Sequence, residues 1–246
     1  MPGGKVRLDV AVVDHGLAAS RERAQALILA GQVKVDGRVV SKAGAQVAAG
    51  AIVELIAPDH PYVGRGGVKL AHALDAFHID PSGRDALDIG ASTGGFTDVL
   101  LQRGARSVVA LDVGHGQLDW RLRNDPRVVV RERINARALT RDDVPASVDL
   151  VTIDVSFISL RHIFPPLASL LAAGSDVVAL VKPQFEAGRD EVGAKGLVTD
   201  PAVHEAVLAR VTSDARESGL LQIAMTPSAI RGATGNQEFF LHLSKN

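Results

Sequence analysis

The chain has 246 residues, 46% of them hydrophobic and 22% charged, a composition typical of a folded globular protein. It contains no cysteine, which excludes disulfides, thiolate metal ligands and cysteine nucleophiles, and we expect no metal site. It shows neither a signal peptide nor an apolar run approaching about 18 residues, so we expect a cytoplasmic protein.

Basic residues are concentrated locally, although the net charge is only −1. Residues 1–69 hold nine basic and six acidic residues, and seven arginines fall between residues 121 and 141. These are Arg121, Arg123, Arg127, Arg131, Arg133, Arg137 and Arg141. Patches of this kind bind phosphates despite a neutral total charge. The alternative for the arginine window is a solvated helix face followed by strand ends.

The first sixty residues predict a small α+β domain with two apolar helices and one small sheet. The predicted segments are residues 6–13, 19–28, 32–40, 47 and 52–55. Ser20 is a good N-cap for the second helix, and Gly31 ends it. Asp36-Gly37 is the turn signal of a hairpin.

This segment resembles the RNA-binding domain of the ribosomal protein S-four type. The resemblance rests on Arg7-Leu8-Asp9, on Ser20-Arg21 with Ala24, and on the spacing of Ile28, Gly31, Val33, Val35 and Gly37. It implies that five basic residues face RNA phosphates, namely Arg7, Arg21, Arg23, Lys34 and Lys42. The alternative is that they are solvated surface charges. Because a module this small cannot carry out chemistry by itself, we expect it to position a substrate.

We expect three segments in all: a small RNA-binding domain at 1–58, a linker at 59–67 and a catalytic domain at 68–246. Pro58 and Pro61, just before and within the linker, favour an extended, stiff crossing. Its end, Gly64-Arg65-Gly66-Gly67, suits a hinge or a backbone contact with a ligand. Arg65 is a further candidate for RNA contact.

After a helix at about 68–77, apolar strands alternate with helices. The predicted strands are about 85–90, 107–113, 127–131, 148–154, 176–182, 220–226 and 238–243. The clearest helices are 96–102, 160–171 and 203–218. This order predicts a doubly wound, Rossmann-like α/β sheet. No helix separates the last two strands, so we expect the final strand to be antiparallel.

The loop Asp88-Ile89-Gly90-Ala91-Ser92-Thr93-Gly94-Gly95-Phe96 follows the first of these strands and opens a helix. Its glycines lack dinucleotide-binding spacing, and the carboxylate of Asp88 would repel a pyrophosphate but pair with an amino group. Asp112 ends the next strand, where it suits a ribose diol.

This arrangement resembles class I S-adenosylmethionine-dependent methyltransferases, which implies S-adenosyl-L-methionine as cofactor. The candidate cofactor residues are Asp88, Gly90, Ser92, Thr93, Gly94, Gly95, Phe96, Asp112, Asn135 and Asp154. Asn135 matches the usual adenine contact of such enzymes, but as a lone Asn it is equally well read as a turn cap.

The quartet Asp154-Val155-Ser156-Phe157 lies where amino-group methyltransferases carry a proline-containing loop. Those prolines are missing, which disfavours base N-methylation. Carbon methylation of pyrimidines uses a cysteine, and there is none. Methylation of oxygen remains.

Four charges at the ends of apolar segments fit that chemistry: Lys69, Asp154, Lys182 and Glu238. In order and context they resemble the K-D-K-E tetrad of FtsJ/RrmJ-like ribose 2′-O-methyltransferases. Together with the first domain, the chain is similar to the TlyA family, whose members are often labelled hemolysin A. The resemblance implies 2′-O-methylation of cytidine in ribosomal RNA, with rRNA or ribosomal subunits as partners and no membrane.

By the same resemblance, Lys182 is the candidate base, Asp154 holds it, and Lys69 and Glu238 orient the hydroxyl. A lysine can act as a base when burial and a nearby cation disfavour its charged form. The alternative for each residue alone is a strand-end salt bridge. The glycine-rich loop 186–196 predicts a substrate-ordered lid with Arg189 and Lys195 near phosphates; the alternative is a disordered loop.

Two other functions stay open on the sequence. One is a non-catalytic RNA-binding factor for ribosome assembly, which an intact tetrad disfavours. The other is a membrane-active hemolysin, which the lack of an apolar span or a cationic amphipathic helix disfavours.

Overall fold

A computed structural model describes residues 4–18, 20–29, 31–56 and 60–246 of the chain. The chain forms two compact units, Met1–Pro61 and Tyr62–Asn246, so the division falls within the segment predicted as a linker. The predicted starts of the second helix, at residue 19, and of the linker, at residue 59, lie outside the described residues.

The described residues of the first unit form five short strands and two helices around a small core. In chain order they are β1 Lys5–Arg7, α1 Leu8–Asp14, α2 Arg21–Leu29, β2 Val33–Val35, β3 Arg38–Val39, β4 Gln46–Ala48 and β5 Val53–Leu55. Leu8, Ile28 and Val33 are fully buried in the core that joins both helices to the sheet residues.

The strands of the first unit form two sheets, and the prediction of one sheet is wrong. β1 pairs antiparallel with β4, while β2 lies between β3 and β5. A three-residue strand is too short to show an alternating pattern, so β1 reads as the start of a helix in the sequence. The predicted hairpin is confirmed: Asp36 and Gly37 have φ of 49° and 78°, as a type I′ turn requires.

The second unit alternates strands and helices. They are α3 Gly66–Phe77, β6 Asp85–Ile89, α4 Gly95–Gln102, β7 Ser107–Asp112, α5 Trp120–Arg123, β8 Val128–Glu132, β9 Leu150–Ile153, α6 Phe164–Ala168, β10 Asp176–Val181, α7 Pro183–Glu186, α8 Pro201–Glu217, β11 Leu220–Pro227 and β12 Phe239–Lys245. The seven strands form one sheet in the order β11-β12-β10-β9-β6-β7-β8, and β12 runs antiparallel to both of its neighbours. The prediction of a doubly wound sheet with an antiparallel final strand is confirmed.

Both faces of this sheet are covered, because alternate strand residues point to opposite sides. On one side Ala86 packs with Leu70 of α3 and Val99 of α4. On the other side Leu87 packs with residues of α6 and α8, including Val211. The carboxyl edge of the sheet stays uncovered by these helices, and in open α/β sheets ligands bind there.

The helix predicted over 160–171 is broken in the structure. A 3₁₀ turn covers Leu160–His162, and α6 extends only from Phe164 to Ala168. Pro165 and Pro166 lack the backbone N–H of a helix interior and occupy the first turn of α6. The helices predicted at 96–102 and 203–218 are confirmed as α4 and α8.

Candidate active site

A cavity of about 500 Å³ lies at the carboxyl edge of the sheet, where β6, β7, β8 and β9 end. Its volume is typical of a small-molecule site. Apolar and polar residues line it: Ile89, Gly90, Ser92, Leu111, Asp112, Val113, Gln117, Ile134, Asn135, Ala136, Arg137, Asp154, Val155, Ser156, Phe157 and Ile158.

Gly90 allows two strand ends to approach each other at the floor of this cavity. Its φ is +85°, and a Cβ atom there would lie 2.4 Å from the carbonyl oxygen of Asp154. The backbone N–H of Asp154 donates to the carbonyl of Ile89 at 2.9 Å. A side chain at position 90 would therefore force β6 and β9 apart just where the cavity begins.

Asp112 joins the loop after β6 to the end of β7. Its two carboxylate oxygens accept the backbone N–H groups of Ser92, at 2.8 Å, and of Gly114, at 2.6 Å. The carboxylate also lines the cavity, so it presents acceptor oxygens to whatever binds there.

Asp88 lies in the protein interior rather than on the cavity wall. It is 0% exposed and accepts hydrogen bonds from Thr97 Oγ1, at 2.7 Å, and from Thr152 Oγ1, at 3.0 Å. Burial raises the pKa of this carboxyl to about 6, although both threonines counteract the shift. Asp88 therefore ties α4 and β9 to β6 below the cavity.

The predicted cofactor residues thus divide into two groups. Gly90, Ser92, Asp112, Asn135 and Asp154 line the cavity. Thr93, Gly94, Gly95 and Phe96, like Asp88, are not among its lining residues. Asn135 is consistent with both interpretations, a cofactor contact and a turn cap. It lines the cavity, and its side chain accepts the backbone N–H of Arg137 at 3.1 Å.

Asp154 and Lys182 form an ion pair at the end of β9 and β10. Lys182 Nζ lies 2.6 Å from Asp154 Oδ1, and it also donates to Ser156 Oγ at 2.8 Å. The lysine side chain is 11% exposed and the aspartate 22%. The ammonium therefore has an ion-pair contact with a carboxylate and one hydroxyl acceptor, both from residues that line the cavity.

Lys69 and Glu238 form a second ion pair, with Nζ 2.5 Å from Oε2. Only 11% of the lysine side chain and 3% of the glutamate side chain are exposed. Lys69 lies in the first turn of α3, and Glu238 immediately precedes β12. The antiparallel pairing of Val181 with Phe239 places Glu238 across from Lys182, so both ion pairs belong to the same edge.

Four polar or aromatic residues that line the cavity were not among the predicted site residues: Ser156, Phe157, Gln117 and Arg137. Phe157 is 88% exposed, has a φ of +63° and lies 5.0 Å from the ring of Phe185, measured between centroids. The signal for Phe157 was present, because an aromatic residue ends the quartet after β9 even though the prolines are missing. Gln117 comes from a loop and Arg137 from the 3₁₀ turn Ala136–Ala138, and neither segment has a sequence pattern that predicts side-chain direction.

Two of the five basic residues predicted to contact RNA in the first unit share a buried carboxylate. Asp9 is 0% exposed and accepts two hydrogen bonds from Arg7, at 3.0 and 2.9 Å, one from Arg21 at 3.0 Å and one from Gln25 at 2.9 Å. These partners hold the pKa of Asp9 well below its usual range. Arg23 and Lys42 are exposed, and Lys34 is half-buried on β2.

The remaining predicted RNA contacts are spread over loops of the second unit. Arg65 Nη2 donates to the carbonyl of Arg231 at 3.4 Å. Lys195 is exposed and has a φ of +62°. The side chain of Arg189 lies outside the described residues.

Within the arginine window, three side chains are neutralised by neighbours, which supports the solvated-face reading for them. Arg121 pairs with Asp119, Arg123 with Glu132 and Arg127 with Asp125.

The chain matches the FtsJ-like methyltransferase family over residues 62–245 and the S4 domain over residues 6–53. A protein of Mycobacterium tuberculosis named 16S/23S rRNA (cytidine-2′-O)-methyltransferase TlyA is 47% identical over 97% of this chain and 90% of its own length. A Brachyspira hyodysenteriae protein named hemolysin A is 41% identical, over 96% of this chain and 99% of its own.

A solved structure from Streptococcus thermophilus, of a protein proposed to be a hemolysin, is 44% identical. It covers 98% of this chain and 89% of its own, with a TM-score of 0.77. Over the described ranges, every helix is too short or too polar to span a bilayer. The sequence matches and the sheet order agree, and the chain belongs to the FtsJ-like methyltransferases of the TlyA family, with an S4 domain preceding the methyltransferase domain.

Proposed function

We propose that this chain transfers a methyl group from S-adenosylmethionine to the ribose 2′-hydroxyl of cytidine in ribosomal RNA. The observation that carries the proposal is the pair of lysine–carboxylate contacts, Lys182–Asp154 and Lys69–Glu238, at the edge of the cavity. Lysines with only 11% of the side chain exposed are rarely ordinary surface charges. The name of the Mycobacterium tuberculosis relative supports cytidine in rRNA as the substrate.

The cavity fits S-adenosylmethionine in the chemistry of its walls. Asp112 offers carboxylate oxygens for a ribose diol, and Leu111, Ile134 and Ile158 offer apolar surface for an adenine ring. The missing side chain at Gly90 keeps the floor open beside Asp154. The bound cofactor would supply an electrophilic methyl group and a positive charge.

Lys182 is the residue proposed to take the proton of the ribose hydroxyl. A ribose hydroxyl is a weak nucleophile, and removing its proton in the transition state contributes about 10² to 10⁴ in rate. Asp154 and Ser156 fix the position of Nζ, at 2.6 and 2.8 Å. Holding the base within hydrogen-bond reach of the reacting oxygen supplies a further part of the rate.

Lys69 and Glu238 are proposed to orient the hydroxyl, because their ion pair lies at the same edge and is almost closed to solvent. The exposed ring of Phe157 is available to stack against the target base, since an aromatic ring in water gains free energy by such stacking.

The first unit is proposed to bind the RNA. Arg7, Arg21, Arg23, Lys34 and Lys42 supply positive charge for phosphates, which position a substrate without reading its sequence. Arg65, Arg189 and Lys195 are proposed as phosphate contacts of the second unit. We keep 1–58, 59–67 and 68–246 as the proposed RNA-binding, linking and catalytic segments.

Transfer of a radiolabelled methyl group from S-adenosylmethionine to purified small and large ribosomal subunits tests this function. The subunits should come from cells that lack the enzyme, so that the site is unmodified. We expect transfer by the wild type, loss of at least about 100-fold in Lys182→Ala, and no change in Lys245→Ala. Lys245 is the matched control, because it lies at the far end of β12. No transfer by the wild-type protein would sink the proposal.

The modified nucleotide decides between oxygen and base methylation. A 2′-O-methyl group protects the adjoining phosphodiester from alkali, whereas a methylated base does not. An alkali-resistant dinucleotide containing cytidine is the expected product. Leakage of liposomes at low protein concentration, equal for wild type and Lys182→Ala, would instead favour the membrane-active alternative.

A further inference from the structure

A buried asparagine links the glycine-rich loop after α7 to the loop that leads into β12. Asn236 is 1% exposed. Its Oδ1 accepts the backbone N–H of Val198 at 2.8 Å, and its Nδ2 donates to the carbonyl of Gly196 at 2.8 Å and to Thr234 Oγ1 at 3.1 Å. The side chain therefore holds two peptide groups of a loop that lies 38 and 40 residues away in sequence.

Lys195 lies directly before this anchored segment in an unusual backbone conformation. Its φ of 62° and ψ of 19° are left-handed, which costs a non-glycine residue free energy. The turn is closed by Gly193 N–H donating to the carbonyl of Leu197 at 2.8 Å. Such strain persists only where surrounding contacts hold the backbone in place, and it is often found at functional sites.

The ammonium of Lys195 is available to a ligand. The residue is exposed. In the part of the chain that the structure describes, its side chain forms no hydrogen bond or ion pair. Asn236 stands two residues before Glu238, so the same short loop that places the Lys69–Glu238 pair also anchors the turn of Lys195.

We propose that Asn236 is a positioning residue that holds Lys195 in its left-handed turn, so that the ammonium forms a preset contact with an RNA phosphate next to the catalytic edge. This rests on the proposed function, which makes RNA the substrate. Asn236 itself touches neither the RNA nor the reacting atoms. A preset cation loses less conformational entropy on binding than a free one.

The salt dependence of RNA binding gives this idea a direct measure. Each phosphate neutralised by a protein cation releases counterions, and the slope of log affinity against log salt changes by about 0.7 to 0.9 per contact. Affinity for unmodified ribosomal subunits is measured over a range of salt for wild type, Lys195→Ala, Asn236→Ala and the double variant. Asn124→Ala is the control, because Asn124 is exposed and donates only to the carbonyl of Trp120.

We expect Lys195→Ala to weaken binding about threefold to tenfold and to reduce the slope by about one contact. Asn236→Ala should do the same, although it removes no charge, and the double variant should be no weaker than either single variant. A wild-type slope in Asn236→Ala, or additive losses in the double variant, would overturn the inference.

A second variant covers the case in which Asn236→Ala does not fold. Gly196→Ala leaves Asn236 in place, and the added methyl would meet no atom within 4 Å, but the φ of +75° at this position disfavours it. It should also reduce the slope. Wild-type protein that binds subunits with the expected slopes but transfers no methyl group would refute the proposed reaction and leave this inference intact.

Discussion

Carboxylates and cations meet in two regions of the molecule, and the regions differ in whether the cation is exposed or enclosed. In the first unit the acid is buried: Asp9 is 0% exposed, whereas the side chains of Arg7 and Arg21 are 46% and 54% exposed. At the carboxyl edge of the second unit the cations are buried too, since Lys69 and Lys182 are each 11% exposed. An exposed guanidinium can reach an outside phosphate, while an enclosed ammonium acts only on a group that enters the cavity.

The contrast also explains why arginine is found in one region and lysine in the other. Arginine stays charged at any physiological pH and binds carboxylate and phosphate through fixed forks of N–H donors. Lysine can lose its proton when its surroundings disfavour the charge. Anchored arginines suit phosphate binding, whereas the enclosed lysines are each fixed by a carboxylate at 2.5 or 2.6 Å and are the residues proposed to act on the hydroxyl.

The largest effect is expected from breaking the enclosed pair. Glu238→Gln leaves the charge of Lys69 uncompensated and should lower the free energy of unfolding by about 3 kcal/mol or more. Methyl transfer should fall about 100-fold. Urea unfolding and methyl transfer measure the two effects. The double variant Lys69→Met with Glu238→Gln should regain stability but stay inactive; recovered transfer would show that the pair is only structural.

Asp88 differs from the acids of both regions, because it is buried and its described hydrogen-bond partners are two threonines instead of a cation. Its pKa of about 6 is above the unfolded value, so its contribution to stability is present below about pH 4 and is lost as the pH rises through about 6. Asp88→Asn should not show this pH-dependent loss, which amounts to at most about 3 kcal/mol in the free energy of unfolding. Unfolding midpoints between pH 4 and 7.5 test it; parallel curves for the two proteins would contradict it.

Asp9 should show the opposite pH dependence. Because arginines lower its pKa, its stabilisation is present above about pH 4 and is lost as the pH falls below that. Asp9→Asn releases Arg7 and Arg21 and should weaken binding to ribosomal subunits about threefold to tenfold, without slowing transfer at saturating RNA. Asp36→Asn, at the exposed hairpin turn, is the matched control. Unchanged RNA binding in Asp9→Asn would show that the anchored arginines do not face RNA.

The smallest effect is expected where the cation is exposed and the acid half-buried at the surface of the second unit. The pair Arg127–Asp125 has side chains 43% and 22% exposed. Arg127→Ala should change the free energy of unfolding by less than about 1 kcal/mol and leave methyl transfer unchanged. A clear loss of RNA affinity in this variant would instead favour a phosphate-binding role for the arginine window.

The sequence was sufficient to place the edge charges, because parallel strands are apolar along their length and their ends converge. Asp154 and Lys182 each follow a parallel strand directly, and Glu238 precedes the antiparallel β12 and so lies at the same edge. The doubly wound sheet followed from the alternation of strands and helices, and the antiparallel last strand followed from the lack of a helix between the last two strands. Short elements were less predictable: β1 has three residues, and two prolines break the helix expected at 160–171.

The direction of a side chain at a strand end was not predictable. Asp88 and Asp112 both stand near the end of a strand, and both were expected to contact the cofactor. Asp88 faces the interior because Thr97 and Thr152, 9 and 64 residues away, supply its hydrogen bonds. Asp9 and Asn236 were likewise not predictable as anchors, because each joins a near neighbour in sequence to partners from a more distant segment.

The antiparallel insertion of β12 between β10 and β11 has a consequence for how the protein matures. Glu238 and Lys69 are 169 residues apart, and they meet only when this strand enters the sheet. Until then β10 and β11 present two open edges, which are prone to pair with other chains. A molecule without β12 therefore lacks the Lys69–Glu238 pair, which is proposed to orient the hydroxyl, and it exposes two strand edges to other chains.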